Sequence, residues 1–130
     1  MKRLLASYPV LLSIAWALII LVLCATPGQY IPSADWMELL SLDKLVHATI
    51  FFIMTSLLLL VCFKYRQGNI FVILYALLSL AYGLLMEIMQ ALYFSNRSAD
   101  WMDVAANSAG CLFALIFLKK IRMWIFPAFI

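Results

Sequence analysis

The chain has 130 residues, 68% of them hydrophobic and 12% charged, with a formal net charge of +3. The length bounds it to a single domain over 1–130, and the apolar content lies well beyond the roughly 45–50% of soluble domains. The positive balance comes with no basic stripe interleaved with aromatics on a polar face, so no nucleic-acid partner is expected.

A bilayer core of roughly 30 Å takes about 20 apolar residues in helical form, because lipid offers backbone polar groups no outside partner. Four segments meet that requirement, at about 9–25, 45–63, 70–92 and 104–126. The first follows Lys2 and Arg3, a pattern shared with signal peptides. Its apolar run is long and no A-x-A site follows, so a retained anchor is expected. A proline-containing loop at 26–43 leads to the second span, and the turn "KYRQGN" at 64–69 joins the second to the third. The stretch "SNRSAD" from Ser95 opens the way to the fourth. Cys24, Cys62 and Cys111 fall singly in apolar runs without disulfide or zinc spacing and read as buried thiols. Neither a metal nor a cofactor is expected.

Charge orients this hairpin pair. Lys2, Arg3, Lys64, Arg66, Lys119, Lys120 and Arg122 share one side, leaving Lys44 and Arg97 on the other. By the positive-inside rule both termini are cytoplasmic. All six carboxylates, Asp35, Glu38, Asp43, Glu87, Asp100 and Asp103, lie toward the outer side with the only histidine, His47. The expected fold is therefore an all-α polytopic membrane four-helix bundle, N-in and C-in, with a polar pocket at its outer face.

Three stretches supply that pocket. In "DKLVH", Asp43 and His47 are four residues apart on one helical face, and Phe51 continues the face a turn deeper. In "YGLLMEIMQ", Glu87 lies about 8 to 10 Å inside the third span at 1.5 Å per residue. An ionised carboxylate at such depth needs a partner or a proton. Gly83 on the same face admits a close helix, and Gln90 extends the polar stripe outward. In "RSADWMDVAANSAG", Arg97, Asp100, Asp103, Asn107 and Gly110 recur at spacings of three or four. Asp100 or Ser98 suits a helix N-cap, and Asp103 suits the positive end of the helix dipole. Mutual satisfaction of these groups as structural glue is the alternative to a functional site. Arg97, with its length and guanidinium fork, is the expected counter-charge for Glu87 or for Asp100 and Asp103.

The pentapeptide "SADWM" occurs at 33–37 and again at 98–102. Only the second copy is preceded by Arg97 and followed by Asn107 and Gly110; at the equivalent offsets the first has Pro32, Leu42 and Leu45. The first copy reads as an interfacial loop with Tyr30 and Trp36 at headgroup level.

The order "DKLVHATIF", "YGLLMEIMQ", "RSADWMDVAANSAG" from Asp43 to about Leu118 resembles the motifs of the VanZ-like family of small bacterial membrane proteins. The resemblance implies characteristic polar positions at Asp43, Lys44, His47, Glu87, Gln90, Arg97, Asp100, Asp103 and Asn107, with Gly83 and Gly110 as packing positions. It also implies action at the outer face of the bacterial cytoplasmic membrane, the family being named for a protein associated with resistance to the glycopeptide teicoplanin. The first expected function is to bind, or help reorient, an anionic or polyprenyl-linked envelope lipid, with Arg97, Lys44 and His47 on phosphate or carboxylate and Glu87, Gln90 and Asn107 on hydroxyl or amide groups. The second is an intramembrane enzyme using His47 with Glu87 or Asp103, for which no serine carries an activating motif. The third is a structural partner subunit. Expected partners are a membrane lipid or lipid-linked precursor, and a second copy of the chain if a translocation path is needed.

Overall fold

Proline, turn residues and one aspartate cap mark where the apolar runs break into helices. A computed structural model describes residues 1–25, 42–93 and 100–126. The first "SADWM" copy and Arg97 lie outside the described residues. Every regular element within them is an α-helix. Helix α1 (Lys2–Ser7) stops at Tyr8, which stands at φ −129° because the residue before a proline avoids helical geometry. Pro9 then opens α2 (Pro9–Ala25), where a missing N–H is harmless. Helix α3 (Leu42–Lys64) turns through Tyr65 to Gly68 into α4 (Asn69–Tyr93). Asp100 caps α5 (Trp101–Ile116), its side chain accepting from Met102 N–H at 2.9 Å.

The expected unbroken span over 104–126 is two helices. At Phe117 (φ −87°, ψ 5°) α5 gives way to α6 (Leu118–Ile125), whose axis is bent by 59°. The sequence "LKKIRMWI" explains the turn: continued straight, the helix would carry Lys119, Lys120 and Arg122 along the bilayer axis. Bent, it lays an amphipathic surface on the bundle, with Ile121 and Ile125 packed against Leu57 and Leu60 of α3 and the two lysines exposed.

α3 and α4 are each long and apolar enough to cross a membrane, and the bent α5–α6 pair makes a third crossing if counted as one. α2, with 17 residues, is a shorter apolar helix that rises about 25 Å. The distribution of side chains points the same way as length. Leu11, Leu18 and Val22 of α2, Leu74, Leu77 and Leu84 of α4, and Leu112 and Ile116 of α5 are exposed, whereas Ser13, His47, Thr55, Ser79, Glu87, Gln90 and Asn107 are buried. Apolar surface outside and polar groups inside suit lipid as the surrounding medium. The chain has the helices of a membrane protein.

α3 is the central helix and packs on α2, α4, α5 and α6. Its tightest approach is to α5, where a Cβ on Gly110 would run into the carbonyl oxygen of Ala48 and come within 2.9 Å of Phe52 N, so the two backbones touch. Phe51, Met54 and Leu58 of α3 form the main core with Ile20, Met86 and Cys111. Side-chain bonds to backbone fasten α2 to the rest: Trp16 Nε1 donates to Ile50 O at 3.0 Å, and Tyr82 Oη to Ala17 O at 2.6 Å. Lower down, Thr55 Oγ1 lies 2.8 Å from Ser79 Oγ and 3.2 Å from Cys111 Sγ, joining α3, α4 and α5 in a buried polar triangle.

Candidate functional site

Three helix ends meet at one end of the bundle: the first turns of α3 and α5 and the last turns of α4. They bring together Asp43, Lys44, His47, Glu87, Asp100, Asp103 and Asn107. Gln90 is buried one turn beyond Glu87 on α4. The i, i+4 spacing of Asp43 and His47 places their side chains on one face, with His47 Nε2 3.8 Å from Asp43 Oδ1. Phe51, one turn on, closes the floor and takes up the space above Gly83, where a Cβ would come within 3.0 Å of the ring and 3.3 Å of Asn107 Nδ2.

The site has an outer and an inner layer. In the outer layer the Lys44 ammonium donates to three carboxylates: Asp43 at 3.0 Å, Asp100 at 2.7 Å, and Asp103. The side chains of Asp43 and Asp100 are 59% and 40% exposed and that of Asp103 only 12%, so the innermost link is the least screened. Asp100 lies outside the helices. The hydrogen bond from Lys44, helped by that from Met102 N–H, holds its carboxyl below the usual 3.8. The acid cluster thus carries its own cation. The sequence pointed to Arg97 for that role by its length and guanidinium fork; Arg97 lies outside the described residues, and among the described ones the cation is Lys44, whose reach across to α5 depends on how the helices pack.

In the inner layer His47 Nδ1 lies 3.1 Å from Asn107 Oδ1. An amide oxygen can only accept, so Nδ1 is the donor. His47 Nε2 faces Asp43 Oδ1 and, at 3.7 Å, Asp103 Oδ2, both beyond direct hydrogen-bond reach. Glu87 is 2% exposed on its side chain, and the Asp100 N–H reaches its Oε2 only at 3.5 Å. Its other oxygen, Oε1, is 3.9 Å from His47 Nδ1 and has no hydrogen-bond partner among the described residues. Asn107 Nδ2, equally buried, also lacks one. Glu87 Oε1 thus lacks a donor and Asn107 Nδ2 an acceptor, and both residues are neighbours of His47. Buried polar groups are rarely left so, since each costs about 1–3 kcal/mol.

Two chemistries fit these groups. Asp43, His47 and Asp103 each present one ligand atom within 4.8 Å of the others, a nitrogen–oxygen set of the kind divalent metals accept. Lys44 already holds both carboxylates of that set, so the chain itself supplies the positive charge that a cation would bring. The other chemistry is hydrogen bonding to a neutral polar group, which the unmatched atoms of Glu87 and Asn107 favour. Ser108 Oγ donates to Val104 O within its own helix at 2.8 Å and is engaged away from the cluster. The Thr55–Ser79–Cys111 triangle escaped sequence reasoning; the hydroxyls of Thr55, Ser56 and Ser79 within two apolar helices were the available signal. Comparison with family models, with curated proteins and with solved structures finds no match for this chain.

Proposed function

We propose that the chain is a four-span membrane module, with both termini cytoplasmic, that binds the polar head of an envelope lipid at the outer face of the bacterial cytoplasmic membrane, in keeping with its resemblance to the VanZ-like family. The observation that carries the reading is the pair of unmatched buried atoms, Glu87 Oε1 and Asn107 Nδ2, beside His47. A hydroxyl or a secondary amide donates and accepts at once, and so answers both. Among the described residues the cluster sets four carboxylates against Lys44 and His47. The part of the ligand that enters the inner layer is therefore hydroxyl- or amide-bearing, such as a sugar or peptide-like head. Any phosphate stays outside that layer, away from the four carboxylates.

Native mass spectrometry of protein purified from bacterial membranes tests this. The wild type should retain a lipid with a hydroxyl- or amide-rich head, and Glu87→Gln and Asn107→Ala should each lose it while still melting cooperatively in detergent. If no lipid is retained and both variants simply melt earlier, the cluster is structural glue and the reading fails.

A second reading rests on the flanking of His47, with Asn107 at Nδ1 and carboxylates facing Nε2. That arrangement fits a general acid–base acting on the same lipid head, with water as the nucleophile. Release of a water-soluble product from bound lipid, abolished by His47→Gln, would distinguish it from binding alone.

A further inference from the structure

At the far end of α3 from the carboxylates, a cavity of about 630 Å³ opens between the α3–α4 turn, α4 and α6. Its volume lies in the range of small-molecule sites, roughly 300–1,000 Å³. Phe63 and Phe126 give it an apolar floor, and Arg66, Gln67, Lys119 and Arg122 line its polar side. No carboxylate is among the lining residues described. The 59° bend at Phe117 is what brings Lys119 and Arg122 to this wall.

The turn that contributes Arg66 carries a second, independent observation. Gln67 N–H bonds to Cys62 O and Arg66 N–H to Phe63 O, the paired bonds of a helix C-terminus whose penultimate position is left-handed. Arg66 occupies that position at φ 51°, where glycine is favoured and side chains are strained. A glycine stands two residues later, at Gly68, where φ is not positive and a Cβ would meet nothing within 4 Å. The turn thus sets a guanidinium where glycine would be easier and a glycine where any residue would fit. A third observation is that Gln67 Oε1 is buried without a hydrogen-bond partner among the described residues.

We infer that this cavity binds the phosphate group of an anionic phospholipid from the leaflet opposite the carboxylate cluster. Arg66, Lys119 and Arg122 face the phosphate, an acyl chain runs over Phe63 and Phe126, and a headgroup hydroxyl donates to Gln67 Oε1. Basic pockets between membrane helices recognise anionic headgroups in this way. The inference does not depend on what the carboxylate end binds.

The test measures binding of phosphatidylglycerol and phosphatidylcholine to the intact protein in nanodiscs, with glycerol 3-phosphate as a soluble competitor. Phosphatidylglycerol should bind selectively, and affinity should fall on the order of fivefold for each cation removed. Arg66→Gly is the telling variant, because relief of the left-handed strain should leave the melting temperature equal or higher while affinity drops. The triple variant Arg66→Gly, Lys119→Gln, Arg122→Gln should lose on the order of a hundredfold. Lys2→Gln, Arg3→Gln, Lys64→Gln removes as many charges away from the cavity and should leave affinity nearly unchanged. Competition by glycerol 3-phosphate as strong as that of the lipid supports the phosphate site and transfers it to a soluble ester. Equal binding of phosphatidylcholine, or equal losses in the two triple variants, would overturn the inference.

Discussion

Replacing Lys44 by Gln should be the most damaging single polar change in the carboxylate cluster. The substitution leaves Asp43, Asp100 and Asp103 side by side with no ammonium between them. Asp43 and Asp100 are exposed enough for solvent to screen most of their share. Asp103, 12% exposed, dominates: a hydrogen bond between charged groups there contributes about 1.5–3 kcal/mol. Lys44→Gln should therefore destabilise by about 2 kcal/mol. Asp103→Asn should cost less, because the ammonium keeps two other acceptors while the three acids have no second cation at hydrogen-bond distance among the described residues. In the double variant the two losses should not add. A double-mutant cycle measures this, with unfolding in mixed micelles of rising SDS fraction followed by circular dichroism. A coupling of about 1.5 kcal/mol or more is expected. A value near the roughly 0.6 kcal/mol average of interhelical hydrogen bonds in membranes, or strict additivity, would refute the view that Lys44 anchors α5 to α3.

Three further outcomes follow from the packing and the titration. Gly110→Ala should destabilise by about 1–3 kcal/mol, since its Cβ meets backbone of α3 that cannot turn aside, whereas Gly83→Ala should be close to neutral because the Phe51 ring can shift and helix propensity offsets about 1 kcal/mol; thermal melts of the two in detergent make the comparison. Cys111→Ser should melt like the wild type and Cys111→Ala lower, because only the former keeps the triangle with Thr55 and Ser79 closed. Asp100 titrates below its ordinary value, so its contribution is complete above about that value and is lost as pH falls through the lowered one. The melting difference between wild type and Asp100→Asn should accordingly be the same at pH 7 and pH 5 and should shrink only below the ordinary 3.8.

Spacing and hydropathy carried the reading of helices, of the shared face of Asp43 and His47, and of the depth of Glu87, because each is a property of one helix and its period. Which cation meets which acid is a property of two or three helices at once. Lys44 reaches Asp100 and Asp103 only because α3 and α5 touch at Gly110, and nothing within the first turn of α3 reveals that. The bend at Phe117 was more accessible than the hydropathy sum made it look. Three cations within four residues, Lys119 to Arg122, are poor company for a bilayer core, and "LKKIRMWI" alone is an interfacial helix. The apolar flanks on either side averaged that signal away.

The bare meeting of backbones at Gly110 also has a mechanical consequence. With no side chain between the two helices there, the contact is where a tilt of α5 against α3 would find its fulcrum. Asn107 stands three residues to one side, about 4.5 Å along the axis, and Ile116 six residues to the other, about 9 Å. A rocking motion that moved the Asn107 amide toward or away from His47 by some distance would swing the Phe117 end the opposite way, about twice as far by the same rise per residue. In such a motion the carboxylate end and the cationic end would be the two arms of one lever, with the shorter arm at the histidine.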